Sequence, residues 1–210
     1  MAKGTLNQQR IVEAALALAD EGGLAAVSMR RLGARLGVEA MSLYSHLPTK
    51  DHLIDALVDA VYGEIDLPPG DRPWDEALRI RCLSMHAALG RHPWSVGLLG
   101  TRRRPGGATL THVEAVLACL RRGGFSWSAV GHAVAVLDAY VLGFALQEAA
   151  IPLQGPESTR QVADGILSPG LEVAFPHLVA FIRGQALQPG YRFGDGFEPG
   201  LDLVLRGLGS

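Results

Sequence analysis

The sequence predicts an all-α protein, with a small amino-terminal unit over residues 1–50 followed by a larger helical body over residues 51–210. Three observations carry this. Apolar residues recur at helical spacing from one end of the chain to the other, while strand-like alternation is scarce. With 48% apolar and 19% charged residues among 210, the chain can bury a substantial core and carries too little charge for disorder. The charge also changes sign near residue 50. Between Leu24 and Lys50 there are four basic residues (Arg30, Arg31, Arg35, Lys50) against Glu39, and between Asp51 and Glu76 eight acids against Arg72. That change puts a basic face at the amino end and an acidic stretch just behind it.

Asn7 can cap a first helix in which Ile11, Ala14, Ala15 and Leu18 share one face, ending at Gly22-Gly23. Ser28 is the expected cap of a second helix, with Leu32 and Leu36 inward, which Gly37 stops. A short third helix is expected from about Glu39 to His46, with Leu43 and Leu47 inward and Pro48 closing it. Leu53, Leu57 and Val61 mark a longer helix through about Glu64. Further helices are expected at Trp74 to Arg91, Trp94 to Leu99, Ala108 to Arg122, Trp127 to Ala150, Phe175 to Leu187 and Gly200 to Gly207. The Gly, Pro and Ser content of TRRRPGG and of Pro152 to Pro169 reads as loop.

Several function classes are disfavoured. Cys82 and Cys119 lie outside any CxxC or Cys/His ligand spacing and read as buried free thiols of a reducing cytosol. No apolar stretch follows Lys3, so a secretory leader is not expected and the location read is cytoplasmic. The run Ala133 to Ala150, interrupted by Asp138 and Gln147, is short for a membrane span and reads as a core or interface helix, so no membrane is expected. No HExxH, GxSxG, GxGxxG or GxxxxGK[ST] pattern occurs, and the seven histidines are scattered; neither enzyme, cofactor nor metal is expected.

The stretch GVEAMSLYSHLPTK gathers hydroxyls, a phenol and an imidazole between a glycine and a proline, in a chain otherwise rich in Ala, Leu, Val and Gly. Two short helices joined by a tight turn, the second polar outside and flanked by basic residues, form the layout of a helix-turn-helix that places its second helix in the major groove. With Leu32, Leu36, Val38, Leu43 and Leu47 packed on the Ile11 and Leu18 face, Met41, Ser42, Tyr44, Ser45 and His46 are left at the surface or rim. Hydroxyls and imidazole suit phosphate oxygens, and a Met suits a thymine methyl. Lys50 and Arg30 suit salt-dependent phosphate contacts. The competing reading at this point is a small helical subdomain with a polar flank.

The run RIVEAALALADEGGLAAVSMRRLGARLGVEAMSLYSHLPTKDHLIDAL resembles the amino-terminal domain of the tetracycline-repressor (TetR) family of bacterial transcription regulators. The matching features are the Ala-Ala pair of the first helix, the Leu36-Gly37 turn, the Leu43-Tyr44 pair and Lys50 at the next helix. The resemblance implies a homodimer that reads a palindromic double-stranded DNA operator and is released by a small-molecule effector. It implies DNA contacts at Ser28, Met29, Arg30, Ala40, Met41, Ser42, Tyr44, Ser45, His46 and Lys50. Four body segments, LLGTRR, LACLRRGGFS, YVLGFALQE and GLDLVLRGL, are similar to the tetracycline repressor's own subfamily, in which the long helix and the last helix form an intersubunit bundle.

The body is expected to hold the effector in a mostly apolar pocket lined by Arg81, Met85, Leu98, Val113, Val116, Leu117 and Val134, with Thr101 and Arg102 either available to a polar or anionic group or standing as ordinary surface loop residues. The same aliphatic residues suit a plain core. The drug-binding relatives hold a magnesium chelate through a histidine and an acid; Leu98 and Gln147 stand at those places here, which removes the hard-cation ligands. Two other functions remain open on the sequence: a scaffolding dimer without specific DNA readout, and an activator of the same fold.

Overall fold

The computed structural model describes residues 6–151 and 156–209, and among them every regular element is helical. Contacts divide the chain into two compact units, Met1–Leu142 and Gly143–Ser210.

The first unit opens with α1 (Gln8–Gly22), capped by the Asn7 side chain, which accepts from the Arg10 N–H at 2.9 Å. A 3-10 turn at Leu24–Ala26 leads to α2 (Met29–Leu36), α3 (Ala40–Tyr44) and α4 (Lys50–Gly63). Ile11, Ala15, Leu18, Val27, Leu32, Leu43, Leu47, Leu53 and Leu57 form one buried cluster, with Leu36 and Val38 packed against it. Because Leu53 and Leu57 belong to this cluster, the packing of the amino-terminal head runs past residue 50 into the first turns of α4.

Behind the head come α5 (Trp74–Arg91), α6 (Gly107–Arg122) and α7 (Trp127–Ala150). The short helix expected from Trp94 to Leu99 is instead a 3-10 turn, Pro93–Ser95, followed by turns that pass through Gly97 and Gly100, the latter at φ 75°. These two glycines and the proline give the segment no reason to hold a full helix. Both thiols are buried and free. Along α7, Val130, Ala133, Leu137 and Val141 form the buried stripe. The helix is 24 residues long with a mean hydropathy of 1.7 over its most apolar window, of which 28% is buried. By length and composition it could cross a membrane; the shorter run Ala133 to Ala150 read from the sequence understated it.

The second unit contains α8 (Pro156–Ile166), α9 (Leu171–Ala174), α10 (Pro176–Phe181) and α11 (Phe197–Leu208). The stretch 152–169 expected as loop is therefore largely helical, although 152–155 lie outside the described residues. Its proline, serine and glycine suggested a loop, but Thr159 and Ala163, both buried and four apart, give it a packing face. The single helix expected from Phe175 to Leu187 is α10 continued by a π turn, Ile182–Ala186. Phe144 stacks on Phe193 with ring centroids 4.9 Å apart and meets Phe197 edge-on at 5.2 Å. Leu201 and Leu205 continue the buried face of α11, and Leu203 is exposed.

Candidate nucleic-acid interface and effector region

The turn between α2 and α3 depends on two glycines. Gly37 sits at φ 67°, in the left-handed region, and lets the chain leave α2 while its N–H still reaches the Ala34 carbonyl. Gly33 is buried inside α2, and a Cβ there would lie 2.8 Å from the Val38 carbonyl oxygen and 3.2 Å from the Ala40 nitrogen. The turn thus folds back against bare backbone, and the Val38 N–H closes on the Gly33 carbonyl at 2.9 Å. A five-residue helix such as α3 has no stability of its own; buried Leu43 and Leu47 hold it on the head core.

That anchoring decides what faces out. Met41 is 77% exposed and Tyr44 40%, and Ser42, Ser45 and Lys50 are exposed beside them. The Ser42 hydroxyl donates to the Glu39 carbonyl at 2.6 Å and the Ser45 hydroxyl to the Ser42 carbonyl at 2.7 Å, so each must rotate to donate to a phosphate. Ala40 and His46 are half-buried at the rim. Ser28 caps α2, its oxygen accepting from the Arg31 N–H at 3.3 Å, and Arg30 is exposed at the start of the same helix. Met29 is half-buried and packs on the head core. Arg35, part of the basic run, is held by Glu21 at 2.8 Å and adds less free positive charge than the sequence suggested.

Helix α4 joins this head to the helices behind it through polar contacts along its length. Arg102 reaches Asp55 at 2.6 Å and Asp51 at 3.8 Å, and Arg104 donates to His52 at 3.1 Å. Asp59 accepts from the Thr109 N–H and hydroxyl, both at 2.8 Å, and from the Ala108 N–H at 3.4 Å, so a carboxylate of α4 caps α6. A Cβ at Gly106 would lie 2.2 Å from that carboxylate, which is why the approach to α6 is glycine. Buried His92 bridges Asp20 of α1, at 2.7 Å, and Glu64 at the end of α4, at 3.1 Å. Burial raises the Glu64 pKa, but hydrogen bonds from Arg91 and His92 outweigh it and hold the group below its ordinary value. Arg102, expected from the sequence to be free for an effector, is committed to Asp55 and Asp51, and the Thr101 hydroxyl donates to the Leu98 carbonyl at 2.8 Å.

Of the other residues expected to line an effector pocket, Arg81, Met85 and Val116 are buried, and Leu98, Leu117 and Val134 are half-buried. Val113 is 45% exposed because α6 turns His112 and Val116 inward instead; Gln147 is also exposed. Sequence reasoning passed over His112. Its Nε2 accepts from Arg81 Nε at 2.9 Å, Arg81 pairs with Asp138 at 2.9 Å, and the Tyr62 ring lies 5.3 Å from the imidazole, centroid to centroid. These four side chains come from α4, α5, α6 and α7, and no local spacing announces their meeting. Burial and then the nearby Asp138 push the Tyr62 phenol up. Among the described residues, no group of three or more His, Cys, Asp or Glu converges on a metal-sized site.

Residues 11–57 match the family model for bacterial regulatory proteins of the tetR family, and residues 67–210 match that for the tetracyclin repressor-like C-terminal domain. The chain belongs to the TetR family. It is therefore a DNA-binding transcriptional regulator, and the head just described is the TetR helix-turn-helix. An HTH-type transcriptional regulator of Saccharopolyspora erythraea is 37% identical over 159 residues, 75% of this chain and 67% of that one. The HTH-type transcriptional repressor DrrR1 of Streptomyces coeruleorubidus is 37% identical over 145 residues, 68% of this chain and 54% of its own length. The match thus spans about half to two thirds of these relatives. Among solved structures, the TetR-family protein ActR of Streptomyces coelicolor, in complex with (S)-DNPA, superposes with a TM-score of 0.81 at 29% identity, covering 99% of this chain and 98% of that one.

Proposed function

We propose that this TetR-family regulator is a cytoplasmic, homodimeric repressor that holds a palindromic operator and leaves it when a mostly apolar small molecule binds among α4 to α7. The observation that carries the reading is the set of polar contacts spaced along α4 between the effector region and the head: Arg102 on Asp55, Asp59 on the start of α6, and His92 on both Asp20 and Glu64. A ligand that favours one placement of α4 over another changes operator affinity by its difference in affinity for the two.

On the DNA side, Arg30, Lys50, Ser28 and the Met29 and Arg30 backbone at the start of α2 take phosphates, with Ser42, Ser45 and His46 beside them. Met41 and Tyr44, the outermost side chains of α3, reach base edges, and half-buried Ala40 sets how closely α3 approaches the groove. The functional boundary falls at residues 50 and 51, with α4 as the transmitting element. Exposed Leu146 on α7 and Leu203 on α11 supply an apolar face to the second copy. That DrrR1 is a repressor and that ActR was solved with a bound small molecule both favour this reading.

Selection of the purified protein on random duplex DNA at two salt concentrations tests it. A palindrome whose affinity falls steeply with salt is the expected result. Unselective binding by ligand-free protein, together with a monomeric mass in solution, would overturn it.

A further inference from the structure

The His112 cluster, drawn from α4, α5, α6 and α7, holds a polar group that the reading above does not use. Arg81 Nε carries a hydrogen and no lone pair, so its 2.9 Å contact with His112 Nε2 requires that nitrogen to be the bare acceptor. The ring proton then sits on Nδ1. His112 is 1% exposed, and Nδ1 has no hydrogen-bond partner among the described residues. A donor buried in this way is costly to the fold unless an acceptor meets it.

We propose that the His112 Nδ1–H is the polar anchor of the effector site, and that the effector meets it with a neutral carbonyl oxygen on an otherwise apolar frame. The proposal rests on the effector-binding reading above and deepens it by naming the ligand's chemistry. Three features select that chemistry. The anchor is a donor, so it discriminates for an acceptor. Arg81 is already neutralised by Asp138 at 2.9 Å, so the cluster holds no spare positive charge to draw a carboxylate. Burial, then the nearby Arg81 charge, hold the His112 pKa down to about 4, so at neutral pH the ring offers an N–H without a charge of its own.

The test uses the full chain labelled with nitrogen-15 at histidine and three probes on one frame: α-tetralone, tetralin and the tetralin carboxylate. In the free protein the His112 proton should be found on Nδ1. The ketone should bind about tenfold tighter than the hydrocarbon and move the Nδ1 resonance, with the carboxylate weakest. His112→Phe should make ketone and hydrocarbon bind alike, and His112→Asn, which keeps a donor, should restore part of the preference. A proton on Nε2, equal binding of the probes, a preference for the carboxylate, or ketone binding that leaves the Nδ1 resonance unmoved overturns the proposal. So does failure of the ketone to bind. The tautomer and the probe titration are read on the native chain, so an unstable variant does not decide the matter. If the ketone preference is found while operator selection fails, the repressor reading falls and the anchor stands.

Discussion

His92 Nδ1 lies 2.7 Å from the carboxylate of Asp20, tying the residue that ends α5 to the last turns of α1. The other ring nitrogen faces Glu64 at 3.1 Å, and the Trp94 indole adds a second donor to Asp20 at 2.7 Å. One imidazole thus touches the reading head and the far end of α4. Replacing it with leucine removes the ring that bridges two carboxylates, each about one third exposed. His92→Leu is expected to cost about 1 to 2 kcal/mol in urea unfolding. It should also shrink the effector-induced drop in operator affinity while leaving effector binding in place. Full coupling in the variant would assign transmission to Arg102 and Asp59 instead.

Gly33→Ala should act against ordinary helix propensity. Alanine in a helix interior normally stabilises by up to about 1 kcal/mol over glycine. Here the new methyl group would meet the Val38 carbonyl at 2.8 Å, and backbone cannot step aside as a flexible side chain does. The expected net loss is about 1 to 3 kcal/mol, read as a lower urea midpoint, with operator affinity falling as α3 is displaced.

Arg30 and Met41 should fail in different ways. Arg30→Ala is expected to weaken binding to all sequences alike and to reduce the salt dependence by about one counterion. Met41→Ala should leave the salt dependence unchanged and relax preference at one base position, a change of about 1 kcal/mol or more. Parallel titrations of operator and non-operator DNA at several salt concentrations separate the two outcomes.

Acid should weaken the fold through His112 before most carboxylates begin to titrate. Its pKa is lowered from the ordinary 6.5 to about 4, so between these values the unfolded chain takes up a proton that the folded chain refuses. The stability contributed by the neutral ring is intact above the upper value. It falls as pH drops through the window and is gone below the lower one, a loss on the order of 3 kcal/mol. His112→Asn should show a flatter stability profile across that window in denaturant titrations from neutral to acid pH. Equal slopes for the two proteins would show that the ring takes up its proton alike in the folded and unfolded chain.

The head was legible because its signals are local. Asn7, Ser28 and Gly37 act within a turn of their own positions, and Leu32 with Leu36, like Leu43 with Leu47, stands four apart, an interval that a helical turn brings onto one side. Met29 shows the limit of such reading: it stands in the right place along the chain, yet its side chain joins the core. The helix at Pro156–Ile166 was hidden by composition, since proline at a first turn and an internal glycine look like loop until Thr159 and Ala163 are seen to be buried. The His112 cluster was beyond reach for a different reason. Its four side chains are brought together by the packing of four helices, and nothing in their separate neighbourhoods points to the others.

Helix α6 does not own its first turn. The carboxylate that satisfies the Ala108 and Thr109 amides belongs to Asp59, some fifty positions earlier in the chain. Any sliding of α4 leaves those amides without an acceptor, and the turn then frays as a helix end does when its cap is cut away. The solvent-exchange rates of two backbone hydrogens therefore register where the reading head stands, in the absence of DNA and without a label on the head itself.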